Sequence, residues 1–528
     1  MDESRLVYGI DLGTTYSCVA QVDEYDKAIV LQNFDGKSTT PSVVYINGDD
    51  VVVGEEAKNA SVDEPEKTVA FIKREIGVDE SFSKPTRFPE GLDPVEISSL
   101  ILKKIVKDAN AITESATEIK NVVITCPAYF GTKEREQTKQ AGEIAGLNVL
   151  GIINEPTAAA IAYGIKVKER KLVLVYDLGG GTFDVTLIRV DNGTIKVLAT
   201  GGDHKLGGKD WDTALAEYML DAYNAEQGTN FTLNSDAKLY NALMNEAEAK
   251  KKTLSAKPKV VATVTFNGVS SRVEITRELF DQLTESLLIQ TIDKINDILK
   301  IAETKGVSKD DINDVLLVGG SSKMPQIKAK VDSEFNVTSR IEDPDQCVAK
   351  GAAIFALNQN IKIEEEKYEE GERDTKPDSL RGANNIRTQN VTSKTYGLGI
   401  VDEKVSNLIF ANTSLPVKME DAFETAHENQ TSLAFPIFES DVTDKTKDGI
   451  INQSAAILLD KAVMTFKKPH PKGYPIKVVF DIDDEGFLKV HGEVEDEGNI
   501  DFTVKITGVR SAEELQRAAE TLAKKNID

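Results

Sequence analysis

The apolar positions of the chain change rhythm along its length. Up to about residue 357, short apolar runs ending in glycine or proline alternate with stretches of helical spacing, the pattern of an α/β unit. Residues 6–53 read as strands and turns that close with Pro41-Ser42-Val43-Val44-Tyr45-Ile46, and a helix is expected from Glu64 to Ile76. Residues 94–109 predict an amphipathic helix with Ile97, Leu100, Ile101, Ile105 and Val106 on its buried side. A buried strand over 122–130, stopped at a proline, leads into a polar helix through Arg135. From Asn154 to Gly164 the alanines predict a helix packed tightly into a core, and further helices start at Trp211. Acids and lysines crowd together from Glu364 to Arg381, which reads as a solvated linker. From Tyr396 to Gly508 short strands and turns predict a compact all-β domain, and Ser511-Ala512-Glu513-Glu514 opens a last helix with a capping box.

One strand-turn pattern occurs twice. Lys171 to Val190 reads as a hairpin in which an apolar strand enters Tyr176-Asp177, Gly179-Gly180-Gly181 makes the turn, and Phe183 to Ile188 leads away. Val7 to Ala20 repeats that grammar around Asp11-Leu12-Gly13-Thr14-Thr15. Such a repeat predicts two similar lobes offering hairpins to a shared cleft. Glycines without side chains leave backbone N–H groups open to a phosphate. Asp177 and Asp184 flank the second turn with Thr182 between them, and carboxylates beside a phosphate call for a divalent cation. Val315 to Val318, followed by Gly319-Gly320, is another strand that opens a helix N-terminus suited to a nucleotide. The basic run Lys250-Lys251-Lys252 reads as a solvated face or as part of a ligand site.

Composition narrows the choice. A formal charge of −24 opposes a nucleic-acid or anionic-membrane surface as the main partner. Cys18, Cys126 and Cys347 are scattered, the four histidines form no metal cluster, and no serine-histidine hydrolase signature is visible. The first residues lack the pattern of a signal peptide and no apolar run reaches membrane-spanning length, so a cytoplasmic protein is expected. A chain of 528 residues exceeds one core and predicts three or four domains or subdomains.

Gly9 to Ser17, Asn154 to Tyr163, Asp177 to Asp184 and Leu317 to Pro325, in this order, resemble the seventy-kilodalton heat-shock chaperone family, and Asn429-Gln430-Thr431 and Phe480-Asp481-Ile482-Asp483 extend the likeness into the β-domain. The resemblance implies an α/β actin-like ATPase domain of two ribonuclease-H-like lobes over residues 1–360, an acidic polar linker over 361–394, an all-β sandwich peptide-binding domain over 395–509 and one short C-terminal helix over 510–528 without a lid. It implies ATP or ADP with magnesium as ligands, potassium as a further candidate cation, and slow ATP hydrolysis coupled to binding of extended apolar segments of unfolded polypeptides. By the same resemblance Asp11, Glu155 and Asp177 hold the magnesium shell, mainly through water, and the attacking water. Lys73 neutralises charge at the terminal phosphate, and Thr14, Thr15 and Thr182 bond to phosphates. Gly13, Tyr16, Gly179, Gly180, Gly181, Asp184, Gly207 and Gly208 join the nucleotide site, while Glu248, Lys251, Lys252, Ser255, Gly319, Gly320, Ser322, Lys323 and Asp345 surround the adenosine. Ile400, Phe423, Ala426, Leu433 and Phe435 fall on groove-lining positions, and Pro127 and Arg135 match a relay between the two parts.

The sequence also departs from that family. Lys252 and Lys323 stand where arginines usually sandwich the adenine, which predicts weaker adenine binding and faster release. Gly151 replaces an arginine that faces the J-domain co-chaperone, and no short apolar interdomain linker is recognisable. The stretch between Gly77 and Pro94 is short, which puts an exchange-factor contact in doubt; the loop from Val401 to Asn407 is shortened and charged, and Pro436 inside a strand predicts an edge or a bulge. Three other readings stand beside the ATP-dependent chaperone: a non-cycling nucleotide-binding co-chaperone or scaffold that has lost turnover, a sugar or glycerol kinase of the same superfold, and an actin-like filament.

Overall fold

The structure, a computed structural model, describes residues 5–78, 88–112, 118–164, 169–191, 193–335, 337–341, 343–370, 386–503 and 509–528. Two sheets carry the sequence repeat. In the first, Val7–Asp11 pairs antiparallel with Tyr16–Val22 and parallel with Asn121–Cys126, which pairs in turn with Asn148–Asn154. In the second, Lys171–Leu178 pairs antiparallel with Phe183–Asp191 and parallel with Asp314–Val318. Each sheet is thus a glycine-turned hairpin whose first strand lies beside a later parallel strand. The central strands are apolar along almost their whole length because both of their faces are covered; every residue of Asp314–Val318 is buried.

Two crossing helices, Glu155–Gly164 and Cys347–Glu369, join the sheets. Their contact explains the alanine-rich composition: a Cβ at Gly351 would collide with the backbone of Ala158, and one at Gly9 would collide with Ala352 and Ala353. Ala158, Ala159, Ala160, Ala352 and Ala353 are all fully buried in a core that also takes Val7 and Val123 from the first sheet and Val173 and Val175 from the second. The expected amphipathic helix runs Pro94–Ile112, with Ile97, Leu100, Ile101, Ile105 and Val106 all buried.

Two expectations about this part of the chain need correction. The segment Glu64 to Ile76 is not one helix: Thr68–Ala70 is a strand that pairs with Val43–Asn47, set between two 3-10 turns. The β-branched pair Thr68-Val69 satisfies its backbone on that sheet edge, and this outweighs helical spacing over so short a stretch. The polar stretch from residue 361 does not begin as a linker either, since the helix continues to Glu369; residues 371–385 lie outside the described residues, and Arg387–Gln389 is a strand parallel to Thr194–Lys196. Ile386 and Val391, on either side of it, are buried and anchor the segment as an apolar linker would. That signal was missed because it lies after the charged run, not within it.

From Thr395 onward two antiparallel sheets face each other. One has the order Ile450–Asn452, Lys404–Ile409, Thr395–Ile400, Gln430–Ser440, Ile457–His470; the other has Val417–Glu424, Pro475–Ile482, Leu488–Val494, Gly498–Thr503. Their inward residues, among them Phe435, Ile437, Phe480 and Ile482, form one core. Pro436 lies in an inner strand, but its ladder with Thr395–Ile400 stops at Leu398↔Ile437, and the ladder on its other side, with Ile457–His470, shifts register between Ile437 and Phe438, so the bulge expectation holds and the edge expectation does not. The last helix, Ala512–Leu522, leaves this domain and packs on Thr132–Ile144, and Asn526–Ile527 adds a parallel strand beside Asp50–Val53.

Candidate functional site

The two glycine turns meet across a cleft. A Cβ on Gly180 would strike Thr15, one on Gly181 would strike Thr14, and one on Gly207 would strike the backbone of Gly181 and Thr182, so these positions admit no side chain. Gly179 N–H donates to Thr182 O at 3.0 Å and accepts, through its own carbonyl, from Gly208 N–H at 2.9 Å, which ties the turn to the next helix N-terminus. The cavity between the turns has a volume of about 550 Å³ and is lined by Asp11, Gly13, Thr14, Thr15, Tyr16, Lys73, Glu155, Asp177, Gly179, Gly180 and Thr182 at one end. Glu248, Lys251, Lys252, Ser255, Gly319, Gly320, Lys323 and Asp345 line the other end.

At the deep end each acid sits where a strand stops. Asp11 ends Val7–Asp11 and accepts a hydrogen bond from Thr125 Oγ1 at 3.2 Å; Glu155 starts its helix and pairs with the buried Lys73. Asp177 and Asp184 are opposite one another in the hairpin register. Burial, reinforced by the Glu155 carboxylate, pushes Asp11 up to about 7 and Asp184 up to about 8, and raises Asp177 well above the usual range for the same two reasons. Lys73 alone does not offset this crowd of acids, so the site is short of positive charge, and a hard divalent cation with oxygen ligands fits that deficit. Among the described residues no three His, Cys, Asp or Glu side chains close to direct coordination, so the acids would reach such an ion through water.

At the shallow end lysines and acids pair with each other. Lys251 Nζ meets Asp212 Oδ2 and the Gly208 carbonyl, both at 2.8 Å; Lys323 pairs with Asp345. Lys252 bonds Glu248 at 2.7 Å and Tyr16 Oη at 2.9 Å, and Lys58 reaches Glu248 from the opposite side of the cleft. Although burial favours its neutral form, the ammonium groups of Lys58 and Lys252 hold Glu248 down to about 2.

Five expected residues are off the cavity wall: Gly181, Gly207 and Gly208 pack on Thr14, on the Gly181–Thr182 backbone and beside Ser321 and Lys251, and Ser322 and Asp184 face elsewhere. Ser322 is fully buried and donates to the Val318 carbonyl at 2.5 Å, leaving its neighbour Ser321 on the cavity wall; Asp184 accepts from Ala128 N–H at 2.8 Å, behind the wall. Sequence reading missed Lys37, Thr39, Glu55, Asp212 and Pro344, which also line the cavity. None of them belongs to a glycine turn, and only the placement of Asp212 one turn into the helix that starts at Gly208 could have pointed to it.

Arg135 joins the site to the β-domain: its guanidinium donates to the Phe130 carbonyl at 3.1 Å, to Asn154 next to Glu155, and to the Glu485 carbonyl at 3.5 Å. Pro127 follows the strand Asn121–Cys126 and stands just before Ala128, whose N–H holds Asp184. Glu485 also covers Gly151, its Oε1 lying 2.9 Å from where a Cβ would stand. Of the expected groove residues, Phe435 is 1% exposed inside the sandwich core and does not line an open groove in this conformation. Phe423 and Leu433 are half-buried against that core; Ile400 is half-buried at a strand end and Ala426 is half-buried in the loop after Val417–Glu424.

Comparison with known proteins gives a consistent result. The family model described as "Hsp70 protein" matches residues 7–526. Two proteins named "Chaperone protein DnaK", from two strains of Halobacterium salinarum, are each 35% identical over 535 aligned positions, covering 99% of this chain and 79% of theirs.

Proposed function

We propose that this chain, which belongs to the Hsp70 family, is an ATP-dependent molecular chaperone that couples nucleotide turnover to the binding of unfolded polypeptide segments. The first 360 residues are read as an actin-like ATPase of two ribonuclease-H-like lobes, and the sheets after Thr395 as a sandwich that holds extended apolar peptide. The observation that carries the reading is the pair of facing glycine turns closed over Asp11, Glu155, Asp177 and the Lys73–Glu155 ion pair.

Phosphoryl transfer asks a protein mainly for position and charge. Backbone N–H groups of both turns, with Thr14, Thr15 and Thr182, would hold the phosphates, and Lys73 would meet charge growing on the terminal phosphate. Asp11, Glu155 and Asp177 would orient water around that phosphate. A magnesium ion, when bound, supplies further charge neutralisation there; potassium is a second candidate cation. Lys251, Lys252, Lys323 and Ser255 would enclose the nucleoside. Arg135, joining Asn154 to the Glu485 loop, would carry the state of the site to the β-domain, and Pro127 would position the strand end beside it. J-domain contact at Gly151 would need Glu485 to move aside.

Steady-state ATP hydrolysis tests the reading. Lys73→Ala is expected to lower turnover by roughly 10²-fold or more, the scale of losing one charge-stabilising group, with nucleotide still bound. Unchanged turnover in that variant would remove Lys73, and with it the proposed site, from the chemistry.

A further inference from the structure

The β-domain rests on the nucleotide-binding part through the helix Thr132–Ile144, and the contact contains an unusual pair of acids. Glu134 lies on that helix and Glu439 on the strand Gln430–Ser440. Both Oε2 atoms are buried without a hydrogen-bond partner. They converge on one point: a Cβ at Gly131 would lie 2.6 Å from Glu439 Oε2 and 3.2 Å from Glu134 Oε2. Glu439 is 3% exposed and Glu134 half-buried, and the two converging oxygens are themselves shut off from water.

We propose that Glu134 and Glu439 form a proton-binding site at this contact, so that docking of the β-domain takes up a proton. Two carboxylates facing one dry spot are costly to keep ionised together, whereas a proton on one of them removes the repulsion and the burial of a second charge. Lys133, Glu134 and Arg135 approach from the helix, and Lys394, Tyr396 and Asp441 from the β-domain side. Lys394 is engaged by Asp441 at 2.5 Å, and Thr132 Oγ1 lies 3.1 Å from Tyr396 Oη, so the nearest polar groups already have partners of their own. Glu485, among Asp483 and Asp484, is a second acid of the same contact.

Burial, with Glu134 next in weight, pushes Glu439 up to about 8. The sign follows: the docked state binds the extra proton, so docking is fully favoured below the ordinary carboxylate value of 4.5 and is progressively lost as pH rises toward about 8. Contacts between domains of one chain are commonly weak enough for such a shift to be visible. Nucleotide turnover plays no part in the proposal, which would stand if the ATPase reading fell.

The test is energy transfer between dyes on Tyr25→Cys and Val463→Cys, which are 81% and 57% exposed on the two parts, the native cysteines being buried. From pH 5 to 8 transfer should fall, with the docking constant dropping by at most roughly tenfold per pH unit for one proton and levelling off above about 8. Glu439→Gln should remove the alkaline part of that fall, and Glu134→Gln should move its midpoint to lower pH. An unchanged profile in both variants, or no response in the parent chain, would overturn the proposal. So would transfer that follows added potassium or magnesium at fixed pH and not pH itself, which would make the pair a cation site.

Discussion

Lys252 is the residue whose behaviour depends most on its neighbours. Its ammonium lies 4.8 Å from the Tyr16 ring centre and bonds both Tyr16 Oη and Glu248, so it is held at the edge of the nucleoside end and not as a plate across it. A guanidinium can make the same ion pair and still stack. Lys252→Arg with Lys323→Arg is therefore expected to raise ATP affinity several-fold and slow release; equal affinity measured by calorimetry would show that these side chains do not contact the base. Glu248 sets a second expectation. Its value is lowered, so the bridge to Lys58 contributes stability above the ordinary 4.5 and loses it only as pH falls toward about 2. Glu248→Gln should cost about 1–3 kcal/mol in denaturant unfolding at neutral pH, and less when the same comparison is made near pH 3. The facing glycine turns and the acids beside them were legible in the sequence because two turns that approach this closely require residues without side chains. Ser322 was misplaced because sequence adjacency cannot distinguish which of two serines a 3-10 turn points inward.

At the scale of elements, the close crossing of Glu155–Gly164 with Cys347–Glu369 decides how the first two sheets meet. Gly351→Ala puts a methyl group against backbone that cannot yield, and overpacking of this kind costs about 1–3 kcal/mol; an unchanged melting temperature would contradict the described contact. The terminal helix gives another case. Ala518 and Leu522 are its buried residues, inside a core built by the first lobe, and Arg510 pairs with Asp93 and Glu96 beside it. Leu522→Asp should release Ala512–Leu522 and Asn526–Ile527 to rapid hydrogen exchange while the sandwich stays protected; loss of protection throughout would mean the helix is integral to folding. The helix itself was readable from its capping box, but its destination was not, because an amphipathic face does not name its partner. The strand Thr68–Ala70 and the anchored segment Ile386 to Val391 were missed for a related reason: three-residue strands draw their stability from an existing sheet edge.

For the whole molecule, the repeated hairpin was visible in the apolar strands around the Asp-Leu-Gly turns, and the change to β structure in the spacing of apolar residues. The docking of the β-domain was not, apart from Arg135, since it rests on dispersed polar pairs: Thr200 N–H to Asn412 at 2.8 Å, Lys305 to the Asn412 carbonyl at 2.9 Å, and the Arg135 links. If these contacts couple the two parts, Arg135→Ala should leave basal ATP hydrolysis within a few-fold of the parent chain and abolish any change caused by peptide. The most direct test is hydrolysis by the intact chain with and without an unfolded apolar peptide. The account predicts slow magnesium-dependent turnover that peptide changes severalfold. Bound nucleotide that is never hydrolysed, with or without peptide, would contradict it.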